Sequence, residues 1–598
     1  MTYLFGKFSV GSDVDSDVTS KFSQSLPTDN FDIYKRGFSN GYILEGWHKN
    51  NNLFTSTYED DDFYFITLGL ISSSQSTHEP DIKTRVLTAY KNNEFSENLK
   101  GNYQIALFDK KKNKLTLHVS PFSEFQFFFA YLNGDFYFSN AVNILKKLIP
   151  QKSLDTEILK MELGLAYKKA TKFMINKKVK INQKKRENLD FYSTKTYESS
   201  IRRLRFGVIL WFEKEVQFLC MPYEFKTGNQ SINIKVHIKD LKIILIKLID
   251  QVIRETKSEI ASLLSGGLDS TMVSAVTAIE LEDKKLFSLS SAPDNFAKIQ
   301  SYKHYTLNEE PLILELCEKY KNISRFILKD SEKELSFCDI PKLAHLYGNG
   351  PDLMPMHSTW ILQLIKNAKK SNCGTVLVSA MGNATISWGG QPLPKSPLKS
   401  FIKKTWYFLS CPVLSGKRKN FQASQLNWIL RRLEETTSLY SSLSLLMNVN
   451  IVDITANPVL IDKCLSIHPK DYSHCNEYRG LMRELMKGIV PDSIRRESKR
   501  GPQNCDIFDQ TKKGVDMFLE NIHSYRNIPI IVECIDLDLT QKMLLNFFKK
   551  NDEQLCKKVD VSIAISSLLN LIEWTKINYE DETMSSDLTE YPLQQMVS

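Results

Sequence analysis

Hydrophobic and polar positions change their period partway along this chain. From residue 1 to about 150 the apolar residues fall in short runs broken by polar turns, the pattern of a strand-rich, helix-poor segment. Tyr103 to Phe108 and Leu115 to Val119 flank a lysine-rich turn. Phe127 to Leu132 and Phe136 to Ser139 flank Asn133-Gly134, a pair that tolerates the positive φ of a tight hairpin. Two consecutive hairpins are predicted, with Phe122, Phe125, Phe127, Phe128 and Phe129 read as a packed sheet face. Val142 to Leu148 form the first amphipathic helix of note, and Ile201 to Phe218 read as further strands.

From Lys235 the period becomes helical. Leu241, Ile244, Leu245, Leu248, Ile249 and Val252 share one face through Arg254 and lead into Ile260 to Leu264, apolar or small like a buried parallel strand. Strands at 285–291, 324–328 and 375–378, and a helix at 309–320 with an acidic first turn, continue the alternation. Such alternation implies a parallel sheet with helices on both faces and ligands beyond the carboxyl ends of its strands.

The chemistry concentrates where the first of these strands ends, in EIASLLSGGLDSTMVSAVTAIE, residues 259–280. Gly266 and Gly267 permit φ values that other residues resist, so backbone N–H groups converge where the helix begins. The Ser265 and Ser270 hydroxyls add donors, and the expected anion is polyphosphate. Asp269 would repel it without an intervening cation, which makes Asp269 a candidate Mg²⁺ ligand. No lysine follows the glycines at Walker-loop spacing.

Ser-Gly-Gly-x-Asp-Ser after a strand resembles the loop of the ATP pyrophosphatases, which cleave ATP to AMP and pyrophosphate. Residues 101–148, GNYQIALFDKKKNKLTLHVSPFSEFQFFFAYLNGDFYFSNAVNILKKL, resemble the second half of the glutamine amidotransferase domain of asparagine synthetases. Those enzymes expose Cys at position 2 as nucleophile; here it is Thr2, and Arg-Gly-Pro-Asp and Asn-Gly-Glu stretches are missing. A retained scaffold without glutaminase activity is expected.

GTVLVSAMGNATISWGG, residues 374–390, resembles the second nucleotide signature of asparagine synthetases, with Asn383-Ala384-Thr385 where that family places an Asp-Glu pair. This form, with YGNGPDLMPMHSTW at 347–360 and the block from Asp453 to Asp506, is similar to the lasso peptide macrolactam synthetases. The resemblance implies ATP and pyrophosphate contacts from Leu264, Ser265, Gly266, Gly267, Leu268, Asp269, Ser270, Leu289, Ser379, Ala380 and Gly382. It also implies Mg²⁺ on Asp269, with Asn383 supplying at most a neutral oxygen, and catalysis by Asp269 and Lys499. Arg495, Arg496 and Arg500 are further phosphate candidates; Gln503 and Asp506 belong to the pattern without an assigned role.

The expected architecture is therefore α/β. A β-rich amidotransferase-like (Ntn-type) domain over 1–225 precedes an ATP-dependent amide ligase domain over 235–578 and a disordered acidic tail over 579–598. The expected activity is AMP-forming amide ligation that closes a lasso peptide macrolactam, with ATP and Mg²⁺ as cofactors. Partners are a precursor peptide and a cysteine protease of the same pathway. Asparagine synthesis or another small amide or β-lactam ligation, RNA modification by the same loop, and a non-catalytic relative are the alternatives.

Composition changes this picture little. At 598 residues two or three domains are expected. A composition 42% hydrophobic and 25% charged is that of a globular protein. The longest apolar run, Phe63 to Ile71, is far short of the ~20 residues of a membrane span, and the first residues lack the basic start of a signal peptide. With ten cysteines and no Cys-x-x-Cys pair, a cytoplasmic protein without a zinc cage is expected. A net charge of +9 does not require nucleic acid, and none is expected as a partner. The lysine-dense residues 166–186 are read as solvated surface, and 395–432, with Trp406, Tyr407, Phe408 and Trp428, as a helical cap.

Overall fold

The computed structural model of the chain describes residues 2–9, 18–27, 30–49, 54–73, 81–150, 153–175, 195–220, 233–294, 308–352, 355–390, 421–498, 501, 507–549 and 559–583. Most of the lysine-dense insert, the boundary segment 221–232, Trp406, Tyr407, Phe408, Lys499, Arg500, Gln503, Asp506 and the tail from 584 lie outside the described residues.

The first half builds two antiparallel sheets. Its strands are β1 (Tyr3–Ser9), β2 (Phe31–Phe38), β3 (Gly41–His48), β4 (Thr55–Glu59), β5 (Phe63–Ser73), β6 (Leu99–Asp109), β7 (Lys114–Val119), β8 (Phe128–Leu132), β9 (Asp135–Ser139), β10 (Arg202–Arg203), β11 (Val208–Phe212) and β12 (Val216–Cys220). They run in the orders β10-β8-β9-β1-β3-β2 and β12-β11-β7-β6-β5-β4. Alternate residues of a strand face opposite ways. Phe8 of β1 therefore points between the sheets onto Phe108 of β6, ring centroids 5.4 Å apart, while Phe5 meets Phe22 of the helix Val18–Ser25. Along β6, Ala106 and Phe108 join the inter-sheet core and Ile105 and Leu107 pack with the helix Ile82–Asn92. The layers are helix, sheet, sheet, helix.

Both expected hairpins form, β6 with β7 and β8 with β9, and Asn133 and Gly134 take φ of 52° and 85°. The helix Ile82–Asn92 escapes the periodicity reading. Its buried residues, Val86, Leu87, Ala89 and Tyr90, form a short run, and its start is fixed by Asp81 accepting from the N–H of Thr84.

In the second half β13 (Glu259–Leu263), β14 (Leu286–Ala292), β15 (Ile323–Lys329), β16 (Cys373–Val378) and β17 (Asn450–Asp453) form a parallel sheet in the order β15-β14-β13-β16-β17. The chain walks outward from β13 to β15, then returns to the other side of β13 with β16. The crevice for a ligand accordingly opens between β13 and β16. Ile260 and Leu377 pack on one face with the helices Ile234–Glu255 and Leu268–Glu280. Ala261, Val376 and Val378 pack on the other with the helices Pro355–Lys370 and Phe421–Met447. A further cluster joins the helix Thr156–Ile175 to Ile507–Tyr525 and Val559–Thr583. Among the described residues the cysteines are free thiols, no cluster of metal-ligating side chains occurs, and no helix is long and apolar enough to cross a membrane.

Candidate nucleotide site at the switch point

β13 ends in the Ser265–Ser270 loop and β16 in the 379–387 turn, so the sheet order brings both sequence signatures to one crevice. Gly266 has φ of 76°, a left-handed conformation suited to glycine. A Cβ there would also stand 3.0 Å from Glu309 Cβ. Gly267 begins the helix Leu268–Glu280, and no side chain caps that end. Free N–H groups at a helix start carry partial positive charge. The hydroxyls of Ser265 and Ser270 lie 2.9 Å apart; Ser270 Oγ accepts from the N–H of Ser265 and donates to the carbonyl of Gly267. Leu264 and Leu289 are core residues, their backbones joined by a bond from Leu264 N to Leu289 O, and Leu268 is buried beside them.

Asp269 is 8% exposed. Its Oδ2 accepts from Ser387 Oγ at 2.9 Å, and its Oδ1 is buried without a hydrogen-bond partner. Burial raises its pKa above the ordinary carboxylate value, opposed by the Arg479 guanidinium and the Ser387 bond. Gly382 makes this approach possible, because a Cβ at that position would fall 2.4 Å from Asp269 Cγ. Gly382 N bonds the carbonyl of Ser379, the Ala380 carbonyl accepts from Arg432, and Met381 N donates to Asp453. The Asn383 amide oxygen accepts from Arg479. Arg479 itself has φ of 61° and a buried, unpartnered Nε.

Of the other predicted cations, Arg495 is tied to Asp492 at 2.7 Å, and Arg496 is 71% exposed. Lys499 is outside the described residues, but its neighbour Gly501 lies against Glu309: a Cβ on Gly501 would fall 2.0 Å from the Glu309 carboxyl carbon. Glu309 thus sits between the Gly266 turn and the end of the basic segment. Burial, then the charge of Glu497, pushes its pKa up to about 8. The reading of the sequence missed Ser387, Arg479 and Glu309. Ser387 and Arg479 stood inside quoted stretches and Glu309 at the acidic start of a predicted helix, but nothing local marked any of the three as part of the site.

Thr2 presents a different environment. It is fully buried, its carbonyl accepts from Asn140 Nδ2 at 2.9 Å, and its hydroxyl has no hydrogen-bond partner.

The class these elements define is a two-part α/β chain, an antiparallel sheet sandwich followed by a parallel sheet with its crevice at the β13/β16 switch. No family model matches the chain, and no curated protein matches its sequence. Among solved structures it is similar to a glutamine phosphoribosylpyrophosphate amidotransferase from B. subtilis complexed with ADP and GMP, at 9% identity and TM-score 0.22 over 50% of this chain and 69% of that one. It is similar to an allosteric regulatory enzyme of purine biosynthesis at 10% identity and TM-score 0.23, over 50% and 68%. An NH3-dependent NAD synthetase from Campylobacter jejuni matches at 13% identity and TM-score 0.18, over 35% and 94%. Likenesses this slight carry no argument about function, which is drawn from the site.

Proposed function

We propose that the chain is an ATP-dependent, AMP-forming amide ligase of the asparagine-synthetase kind, and that it closes the macrolactam ring of a lasso peptide. The observation that carries the reading is the buried, unpartnered Oδ1 of Asp269 beside an uncapped helix start. A lone buried carboxylate oxygen in the first turn of a helix that binds phosphate would repel that anion without a cation between the two, and its donor chemistry fits Mg²⁺. Asp269 would hold such an ion, which would supply charge neutralisation at the phosphates.

The remaining roles follow from the chain's own groups. A substrate carboxylate attacks the α-phosphorus of ATP, and pyrophosphate leaves toward the N–H groups and hydroxyls of Ser265–Ser270. Ser387 fixes the second oxygen of Asp269, and Arg479, with donors to spare beyond Asn383, supplies a fixed positive charge. Lys499 is proposed to offset charge on the acyl adenylate while an amine attacks and AMP departs. Holding carboxylate and amine of one peptide in one crevice lowers the entropic part of the barrier.

On this reading residues 1–225 are a scaffold and 235–578 the ligase, in a cytoplasmic protein served by a cysteine protease; the expected tail from 579 is corrected by the helix Val559–Thr583, whose Tyr579 packs against the core and whose Asp581 pairs with His345. The burial of Thr2 supports an amine source other than glutamine hydrolysed in the first half, because a nucleophile must reach its substrate.

The test is nucleotide product analysis with Mg-ATP and a candidate precursor peptide, set against aspartate plus ammonia. AMP and pyrophosphate with peptide alone, and loss of one water from the peptide mass, are expected. AMP with aspartate would move the protein to asparagine synthesis, and no AMP with either would end the ligase reading. Lys499→Ala should slow turnover more than it weakens ATP binding; unchanged turnover would remove that residue from the mechanism.

A further inference from the structure

One loop of the β-rich half reaches the back of the 379–387 turn. Between β7 and β8, Phe122 takes φ of 57°, a left-handed conformation costly for a bulky residue. It is buried with Met381, Ala384 and Ile429. Two residues on, Glu124 is 4% exposed and accepts from Asn102 Nδ2 at 2.9 Å and from the N–H of Asp453 at 3.3 Å. Asp453, at the end of β17, accepts from the N–H of Met381 at 2.8 Å and from the N–H and hydroxyl of Thr455. A continuous line therefore runs from Asn102 through Glu124 and Asp453 to Met381, the residue before Gly382. Gly382 is the contact that seats Asp269.

Buried carboxyls that face each other are costly, and a buried polar chain is fixed only when its members are satisfied together. Burial raises both acids, Asp453 to about 6 and Glu124 well above its ordinary value, and the Asp453 charge adds to the rise at Glu124. The groups facing the pair are Asn102 of β6, Thr455, and Arg432 and Tyr440 of the helix Phe421–Met447. Arg432 is their cation, and it also holds the Ala380 carbonyl.

We propose that Glu124 is a positioning residue of the nucleotide site: through Asp453 it fixes the 380–385 turn, so the β-rich half shapes ATP binding without touching ATP. The inference rests on the ligase reading above. Its test measures binding of Mg²⁺ with α,β-methylene-ATP, together with thermal unfolding, in the full-length protein and in Glu124→Ala, Asn102→Ala and Glu124→Gln. Loss of a buried hydrogen bond, with its partner left unsatisfied, predicts about 10-fold weaker nucleotide binding in Glu124→Ala and Asn102→Ala. Glu124→Gln, which mimics the protonated acid, should bind within about 2-fold of the parent. Lower thermal stability with unchanged nucleotide affinity in Glu124→Ala and Asn102→Ala would reduce Glu124 to a structural contact and overturn the proposal. A parent protein that binds no nucleotide would overturn the ligase reading and this inference with it. Binding by the parent with unaltered affinity in the variants would overturn only the role of Glu124.

Discussion

Thr2 and Asp269 each bury an oxygen that lacks a hydrogen-bond partner, one in each half of the molecule. Their surroundings differ in every respect that matters for chemistry. Thr2 lies in an apolar core with Tyr3, Leu4 and Phe5, its carbonyl tied to Asn140. Nearby on β3, burial pushes the pKa of His48 down to about 3, which keeps its ring neutral. Asp269 lies in the first turn of an uncapped helix, beside the charge of a guanidinium and the close approach of Gly382. An orphaned oxygen is a defect in the first place and a ligand position in the second. What separates them is the field around the oxygen and whether the backbone leaves room for a partner.

The sharpest way to break this contrast is Asp269→Ala. If the orphaned carboxylate exists for a cation, its removal should cost AMP formation on the order of 10³-fold. The same change deletes a buried, half-satisfied charge, so thermal stability should be unchanged or higher. Retained activity would remove Asp269 from the chemistry; lost activity together with a lower melting temperature would make the residue structural.

Gly382→Ala probes the room around the same carboxylate. The added Cβ would meet Asp269 Cγ at 2.4 Å, with no flexible side-chain end to give way, so the turn or the aspartate must shift. A displacement of that kind should lower turnover about 10²-fold. Gly134→Ala, in a hairpin with open space around it, should leave turnover alone and cost only stability, because its φ is 85°.

How much of this was legible in the sequence follows from the range of each constraint. The Ser265–Ser270 loop was readable because its requirements are local: a buried strand, two glycines, a helix start and an acid within a few residues. The hairpin at Asn133-Gly134 was readable for the same reason. The partners of Asp269 were not, since Ser387 and Arg479 arrive through the parallel sheet order and a left-handed backbone at residue 479, which no local pattern encodes. Asn383 was read as a metal neighbour from its place in a motif, and its amide oxygen is taken by Arg479, a contact set wholly by tertiary packing. Glu309 was legible only as the acidic start of a helix. Its position between Gly266 and Gly501 depends on the chain returning from the far side of the domain.

Glu309 also sets a pH dependence that sharpens the comparison. Its pKa moves from an ordinary 4.5 to about 8 in the folded protein. Below 4.5 both folded and unfolded chains are protonated and the residue contributes nothing. Between 4.5 and about 8 the unfolded chain ionises while the folded one resists, so stability falls as pH rises; above 8 the penalty is constant. Glu309→Gln should therefore match the parent's melting temperature at pH 4.5 and exceed it by about 2 °C at pH 8 to 9. A constant difference across that range would mean that Glu309 does not titrate where its surroundings place it.

The smallest effect is expected at Thr2. Thr2→Ala removes a hydroxyl that bonds nothing and leaves the Asn140 contact to the main chain intact. The orphaned polar group and the small void left by deleting it nearly cancel, so the melting temperature should move by about 1 °C or less. AMP formation should be unchanged with any amine donor. If glutamine supported turnover in the parent and Thr2→Ala abolished it, Thr2 would be a nucleophile reached by an opening of the core. The two orphaned oxygens would then have the same standing, and burial alone could not have told a defect from a site.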